Sequence, residues 1–186
     1  MRKLGPLTKK DIIQEYRSLV SVQDYSAKKK IEGVAIYELK NFVGEDGFLC
    51  EIGRLSNGGY LEAIKDFKIL QINYSEVFPG VIKAWHLHLS QEDLWYISPN
   101  QTILVGLYDL RKKSPTKKVT MRFALGGGKS QLLYIPRGVA HGYANLTRQP
   151  ISLIYFVNQK FDPASPDEYR LPWDLLGKDF WRITPG

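Results

Sequence analysis

The chain has 186 residues, 44% of them hydrophobic and 24% charged, a balance that excludes a disordered polypeptide and leaves room for one good-sized domain rather than two. Its single cysteine, Cys50, excludes an intrachain disulfide framework and a cysteine-based zinc site, and suits a reducing, cytoplasmic setting. No apolar run approaches the ~18 residues of a membrane span, and Met1-Arg2-Lys3 is not followed by a signal-type apolar core.

The net charge of +7 raises the question of nucleic acid, and its location answers it. Residues 1–40 carry a net +4, and residues 111–118 hold five cations (Arg111, Lys112, Lys113, Lys117, Lys118) with no acid, which leaves the remainder at −2. Basicity so placed belongs to an arm and a loop. A nucleic-acid binder shows instead a stripe interleaved with aromatics, or a recognition helix. A small anionic substrate fits the same charge, and neither nucleic acid nor membrane is expected as a partner.

In chain order, residues 8–21 are predicted as a helix, with Thr8 as N-cap and Ile12, Ile13, Tyr16, Leu19 and Val20 at helical spacing on one face. Ser26-Ala27-Lys28-Lys29-Lys30 follows as a linker, so the expected organisation is a basic helical arm over 1–30 and a second unit over 31–186. From Ile31 the pattern changes to short β-rich runs: Val34–Leu39, Phe48–Ile52, Ile69–Asn73, Val81–Leu89, Leu94–Ile97, Ile103–Leu110, Val119–Phe123, Leu132–Ile135 and Ser152–Val157. Turn residues such as Glu45-Asp46-Gly47, Asn57-Gly58-Gly59 and Gly126-Gly127-Gly128 punctuate them. Many short strands in one domain predict an all-β sandwich or jelly-roll barrel, with the tail from Pro163 to Gly186 packed over it.

All three histidines fall in two short segments, Lys83-Ala84-Trp85-His86-Leu87-His88 and Pro136-Arg137-Gly138-Val139-Ala140-His141-Gly142-Tyr143. Strand alternation predicts that His86 and His88 share a face with Ile82 and Ala84, and that Lys83, Trp85 and Leu87 take the other.

Gly80, His86-x-His88 and Glu92 resemble the first cupin motif, and Pro136-x-Gly138, His141 and Asn145 the second. More narrowly, residues from about Ile31 to Trp181 resemble the dTDP-4-dehydrorhamnose 3,5-epimerase family of cupins. Further landmarks are Ile31-Glu32-Gly33-Val34, Gln71-x-Asn73-x-Ser75, and Asp109-Leu110-Arg111 followed by Ser114-Pro115-Thr116. The resemblance implies a cupin-type jelly-roll barrel that works without a cofactor, pairs as a homodimer and acts on a nucleotide sugar. It places His86 on the family's catalytic base and Tyr155 on its catalytic acid. A 4-keto group acidifies the neighbouring carbon-bound hydrogens, so a base near neutral pKa removes one and an acid on the opposite ring face returns it. Lys83 stands where the family carries Arg and suits the enolate oxygen or a diphosphate, with His88, Gln71, Asn73, His141 and Arg111 as further substrate-binding candidates.

Two family features have no motif here. The carboxylate that orients the base belongs to a C-terminal helical segment in the family, and Asp174 and Asp179 are the acids in this shorter tail. The family's active-site Lys falls in the region of Asp93 or Tyr96. Two other readings stay open: a metal cupin with His86, His88, Glu92 and His141 as ligands, and a barrel that binds sugar nucleotides without catalysis.

Overall fold

The computed structural model describes residues 5–183. Twelve strands run in chain order as β1 (Ala35–Glu38), β2 (Asn41–Gly44), β3 (Gly47–Cys50), β4 (Gln71–Val77), β5 (Ile82–Leu87), β6 (Asp93–Ile97), β7 (Thr102–Asp109), β8 (Thr120–Gly126), β9 (Gln131–Ile135), β10 (Val139–Ala144), β11 (Ile151–Val157) and β12 (Tyr169–Arg170). Two five-stranded antiparallel sheets, ordered β1-β9-β6-β11-β4 and β12-β5-β10-β7-β8, face one another, and β2–β3 forms a separate hairpin. From β4 to β7 and from β8 to β11 the chain passes to the other sheet at each step. That alternation is the two-sheet path of a jelly roll.

The predicted strands are present within a few residues of their expected ends. Among the described residues three further strands accompany them: β2, β12 and β10, the last read from sequence only as a histidine motif.

Three apolar clusters explain the burial pattern. Between the sheets, Val77, Trp95, Ile97, Val105, Leu107, Leu133, Val139 and Leu153 interlock from both inner faces. Outside the first sheet, Leu94, Tyr96 and Leu132 are covered by Leu61, Ile64 and Phe67 of the irregular segment before β4. Outside the second, Trp85, Ala140 and Ala144 are covered by Leu171, Leu176, Phe180 and Trp181 of the tail. Covered on both faces, β6 and β10 are buried at every residue. The expectation that the tail packs over the barrel is met through Trp181; residues 184–186 lie outside the described residues.

The predicted N-terminal helix is absent. Residues 8–21 hold two short 3-10 turns, Lys9–Asp11 and Gln14–Tyr16, the first with the Asp11 carboxylate accepting from the Thr8 amide at 2.8 Å. A helix of this length needs a surface for its apolar face. Here Ile13 and Leu19 are 69% and 74% exposed, so nothing offsets the cost of nucleation.

Candidate active site

One end of the space between the sheets is polar and open. It forms a cavity of about 1050 Å³, into which β4 sends Gln71, Asn73 and Ser75, β5 sends Lys83 and His86, and β11 sends Tyr155. Residues two apart on a strand share a face, which is why Gln71-x-Asn73-x-Ser75 lines the wall as a unit. Tyr155 lies directly across from Asn73 on one side and Trp95 on the other.

The wall contributed by β5 depends on a bulge. His86 pairs with His141 of β10, but Lys83 pairs with Tyr143, so Ala84 and Trp85 together oppose Gly142. The extra residue reverses the alternation upstream of Trp85. Lys83 therefore joins His86 on the cavity side, correcting the sequence expectation that it points away. Ile82 and Ala84 pack with Trp85 in the outer cluster. The Lys83 ammonium donates to Ser75 Oγ at 2.9 Å and to the Glu76 carbonyl at 3.2 Å.

His86 has two polar partners, both from the tail segment paired beside it. Its Nδ1 lies 3.3 Å from Glu168 Oε1, and its Nε2 accepts from Arg170 Nη1 at 2.7 Å. Arg170 also bonds Glu168, closing a three-membered network. The Arg170 donor at Nε2 leaves the ring proton on Nδ1, the nitrogen that faces the Glu168 carboxylate. Desolvation, reinforced by His141, Arg170, His88 and Lys83, lowers the His86 pKa from 6.5 to about 3, so the ring is neutral at pH 7. Burial raises the Tyr155 pKa, with Tyr143 and the Asp93 and Glu168 carboxylates adding to it, so the phenol keeps its proton.

Glu168 is the residue that sequence reasoning missed. Asp174 and Asp179 do not line the cavity; Asp179 pairs with Arg182 at 2.8 Å. Glu168 lies 82 positions after His86 and reaches it because Arg170 and Tyr169 pair with His86 and Leu87. The neighbouring Asp167 holds that segment in place. Its carboxylate accepts from the amides of Leu89, Ser90 and Gln91 at 2.7–2.9 Å, and its carbonyl meets His88 Nδ1. Burial raises the Asp167 pKa, but these amide hydrogen bonds and His88 outweigh it and lower the pKa overall.

Two sequence candidates lie elsewhere. Arg111 is not in the cavity wall: its Nε donates to Asp109 Oδ1 at 2.9 Å and its Nη2 to the Glu32 carbonyl at 2.6 Å. Ser114 and Thr116 hydroxyls complete the shell of the fully buried Asp109. Burial pushes the Asp109 carboxyl up, yet hydrogen bonds from Arg111, Ser114 and Thr116 outweigh it and hold it well below the usual range. The Asp-Leu-Arg and Ser-Pro-Thr pieces thus tie the entry segment at Ile31–Gly33 to the β7–β8 loop. Glu92 also points away from the histidines, accepting from Asn158 Nδ2 at 3.1 Å. Asp93, the next residue, takes the inward direction, 3.6 Å from His141 and 4.0 Å from His88. Asp93, and not Glu92, is therefore the carboxylate beside the buried histidines.

A neutral, carboxylate-oriented imidazole on one sheet and a protonated phenol on the facing sheet can remove and return a proton on opposite faces of a ring held between them. Comparisons with known proteins give the family. The family profile described as dTDP-4-dehydrorhamnose 3,5-epimerase matches residues 28–175. The spore coat polysaccharide biosynthesis protein SpsL of Bacillus subtilis (strain 168) is 41% identical over 144 residues, covering 77% of this chain and 91% of that protein. A dTDP sugar isomerase structure from Desulfovibrio desulfuricans G20 superposes with a TM-score of 0.68 at 27% identity, covering 83% of this chain and 91% of that one. A dTDP-6-deoxy-D-glucose-3,5-epimerase from Legionella pneumophila Philadelphia 1, solved with dTDP-4-keto-L-rhamnose, superposes with a TM-score of 0.65 at 25% identity, covering 77% and 75%. Fold, site and profile converge: this chain is a member of the dTDP-4-dehydrorhamnose 3,5-epimerase family, an isomerase by class.

Proposed function

We propose that the protein epimerises a dTDP-linked 4-keto-6-deoxyhexose at C3, C5 or both, as a step of deoxysugar biosynthesis. One observation carries this reading: His86 and Tyr155 enter one cavity from facing sheets. His86 takes the carbon-bound proton through Nε2, Glu168 stabilises the imidazolium through Nδ1, and Tyr155 returns a proton from the opposite face. Lys83 is the cation for the enolate oxygen. Gln71, Asn73, His88 and His141 are the polar groups that hold the sugar.

The Arg170 bond to His86 Nε2 occupies the lone pair that must take the proton. Arg170 therefore has to turn toward another anion before the base can act. A diphosphate supplies one, in the charge-assisted geometry that guanidinium favours. Substrate binding and release of the base become one event. The family resemblance also supports a homodimer in the cytoplasm, and the exposed Ile72 and Tyr74 of β4 offer apolar surface for pairing; light scattering on the purified protein tests the assembly.

Incubation with dTDP-4-keto-6-deoxyglucose in deuterated water tests the reaction. Deuterium enters C3 or C5 of the sugar, and His86→Asn slows its entry by about 10²- to 10⁴-fold. Binding of dTDP with no deuterium at either carbon would overturn the reading.

A further inference from the structure

The proposed proton transfer leaves one buried phenol unused. Tyr143, on β10 two residues after His141, lines the cavity yet is only 6% exposed. Its ring meets Trp95 edge to face, with centroids 5.2 Å apart and planes at 84°, which fixes where the hydroxyl stands. A phenylalanine would make the same ring contact, so the hydroxyl calls for its own account. Burial raises the Tyr143 pKa against the lowering effect of Ser75 and Arg170, so the phenol keeps its proton and can donate.

That hydroxyl stands between the sheets. Tyr143 pairs with Lys83 in the second sheet, and both reach across to Ser75 of β4 in the first. Tyr143 Oη lies 3.4 Å from Ser75 Oγ, and Lys83 Nζ donates to the same oxygen at 2.9 Å. Ser75 pairs with Leu153, two residues from Tyr155 on the same strand. A sugar ring held with one face to His86 and the other to Tyr155 presents its C4 oxygen edge-on, at the height where these side chains meet. An O–H···O bond is about 2.5–3.0 Å long, so the Tyr143–Ser75 contact is weak and is readily exchanged for an anionic acceptor. The Lys83 ammonium keeps a third N–H beyond those given to Ser75 and the Glu76 carbonyl.

We infer that Tyr143 is a catalytic donor to the enolate: its hydroxyl turns from Ser75 to the C4 oxygen as charge develops there, beside the third N–H of Lys83. The inference rests on the epimerase reading and adds a residue to its chemistry. As His86 Nε2 takes the proton, the C–H electron pair becomes the C=C bond and the carbonyl π pair moves onto the oxygen. Tyr143 donates a hydrogen bond to that oxygen and keeps its own proton. When Tyr155 protonates the carbon from the other face, the carbonyl re-forms and Tyr143 returns to Ser75. A donor held in place by packing and aimed where charge develops lowers such a barrier without reorganisation. The same oxygen serves the enolates at C3 and at C5, so Tyr143 acts on both.

Tyr143→Phe, assayed beside the wild type with dTDP-4-keto-6-deoxyglucose in deuterated water, tests the inference. The variant keeps the ring against Trp95, so its melting temperature and dTDP affinity stay near the wild-type values. Its kcat and its rate of deuterium entry fall together, by about 10²- to 10³-fold. Loss of an acid has a different signature, since exchange on the His86 face continues while inversion stops. A folded Tyr143→Phe that exchanges deuterium at the wild-type rate, with or without inversion, overturns the inference and leaves the epimerase reading standing. A raised KM at unchanged kcat does the same. A wild type that takes up no deuterium overturns both.

Discussion

At the scale of single residues, the proposed proton transfer rests on which form of His86 is populated. The folded chain holds its pKa near 3 by desolvation first and by the neighbouring His141, Arg170, His88 and Lys83 next. The reactive neutral ring therefore persists as pH falls through the ordinary imidazole range. The predicted kcat/KM profile has no acid limb from His86 between pH 7 and 5; a limb centred near 6.5 in the wild type would contradict this. The same shift has a stability consequence of defined sign. Below pH 6.5 the unfolded chain takes up a proton that the folded chain refuses, so stability falls as pH drops from about 6.5 toward 3. His86→Asn removes that proton uptake, and its melting temperature declines less steeply over the same range. Arg111 gives the contrasting case. It pairs with a fully buried carboxylate, and breaking such a pair costs about 3–5 kcal/mol. Arg111→Ala is expected to lower the unfolding free energy by about that amount and leave KM near the wild-type value, measured by urea melts and initial rates. That His86 and Tyr155 line one cavity was legible because the His-x-His motif marks the first and the family resemblance the second. Glu168 was not, because its contact depends on β12 lying beside β5, a pairing that no local pattern encodes.

At the scale of elements, a single bulge decides what the cavity contains. Strict alternation along Ile82–Leu87 assigns Lys83 to the wrong face, since one extra residue opposite Gly142 resets the period. Gly142 makes that bulge possible. A Cβ built on it would stand 2.5 Å from Ala84 Cβ, 2.8 Å from Ala84 Cα and 2.9 Å from the Lys83 carbonyl oxygen. Two of those atoms are backbone, so the strand itself would have to move. Gly142→Ala is predicted to destabilise the fold by about 1–3 kcal/mol through overpacking. It should also cut kcat by more than stability explains, because His86 and Lys83 ride on the displaced strand; denaturant melts and kcat on the folded fraction separate the two. The arm shows the opposite failure. Residues 8–21 have helical spacing, yet spacing only marks an apolar face and does not supply a partner for it. Strand existence was legible since alternation is enforced by burial on each sheet, whereas bulges and unpartnered helices depend on what lies across.

The whole molecule is four layers deep at its centre, two sheets and a covering on each outer face, and the outer covering of the second sheet ties stability to chemistry. Gly106 and Gly142 lie side by side on β7 and β10. A Cβ on Gly106 would come within 2.6 Å of Phe180 and Trp181. Gly106 leaves a flat seat on which Trp85, Phe180 and Trp181 stack with centroids 5.0–5.3 Å apart. The tail is pinned at both ends of this stack. Leu171 exchanges hydrogen bonds with Trp85 at 3.2 and 3.4 Å, and Arg122 Nε donates to the Phe180 carbonyl at 2.7 Å. Glu168 and Arg170 sit just before Leu171, so the aromatic stack outside the sheet positions the groups that orient His86 inside it. Trp181→Ala empties the centre of that stack and is predicted to cost about 3–5 kcal/mol. Because the tail carries Glu168, the loss should extend beyond stability. At a temperature where the variant remains folded, its kcat is expected to fall, and dTDP affinity to fall with it, because Arg170, the proposed partner of the diphosphate, rides on the same segment as Glu168. Calorimetry together with dTDP titration checks this. Wild-type kcat in a destabilised variant would mean that β12 holds to β5 by its own hydrogen bonds, without the aromatic anchor.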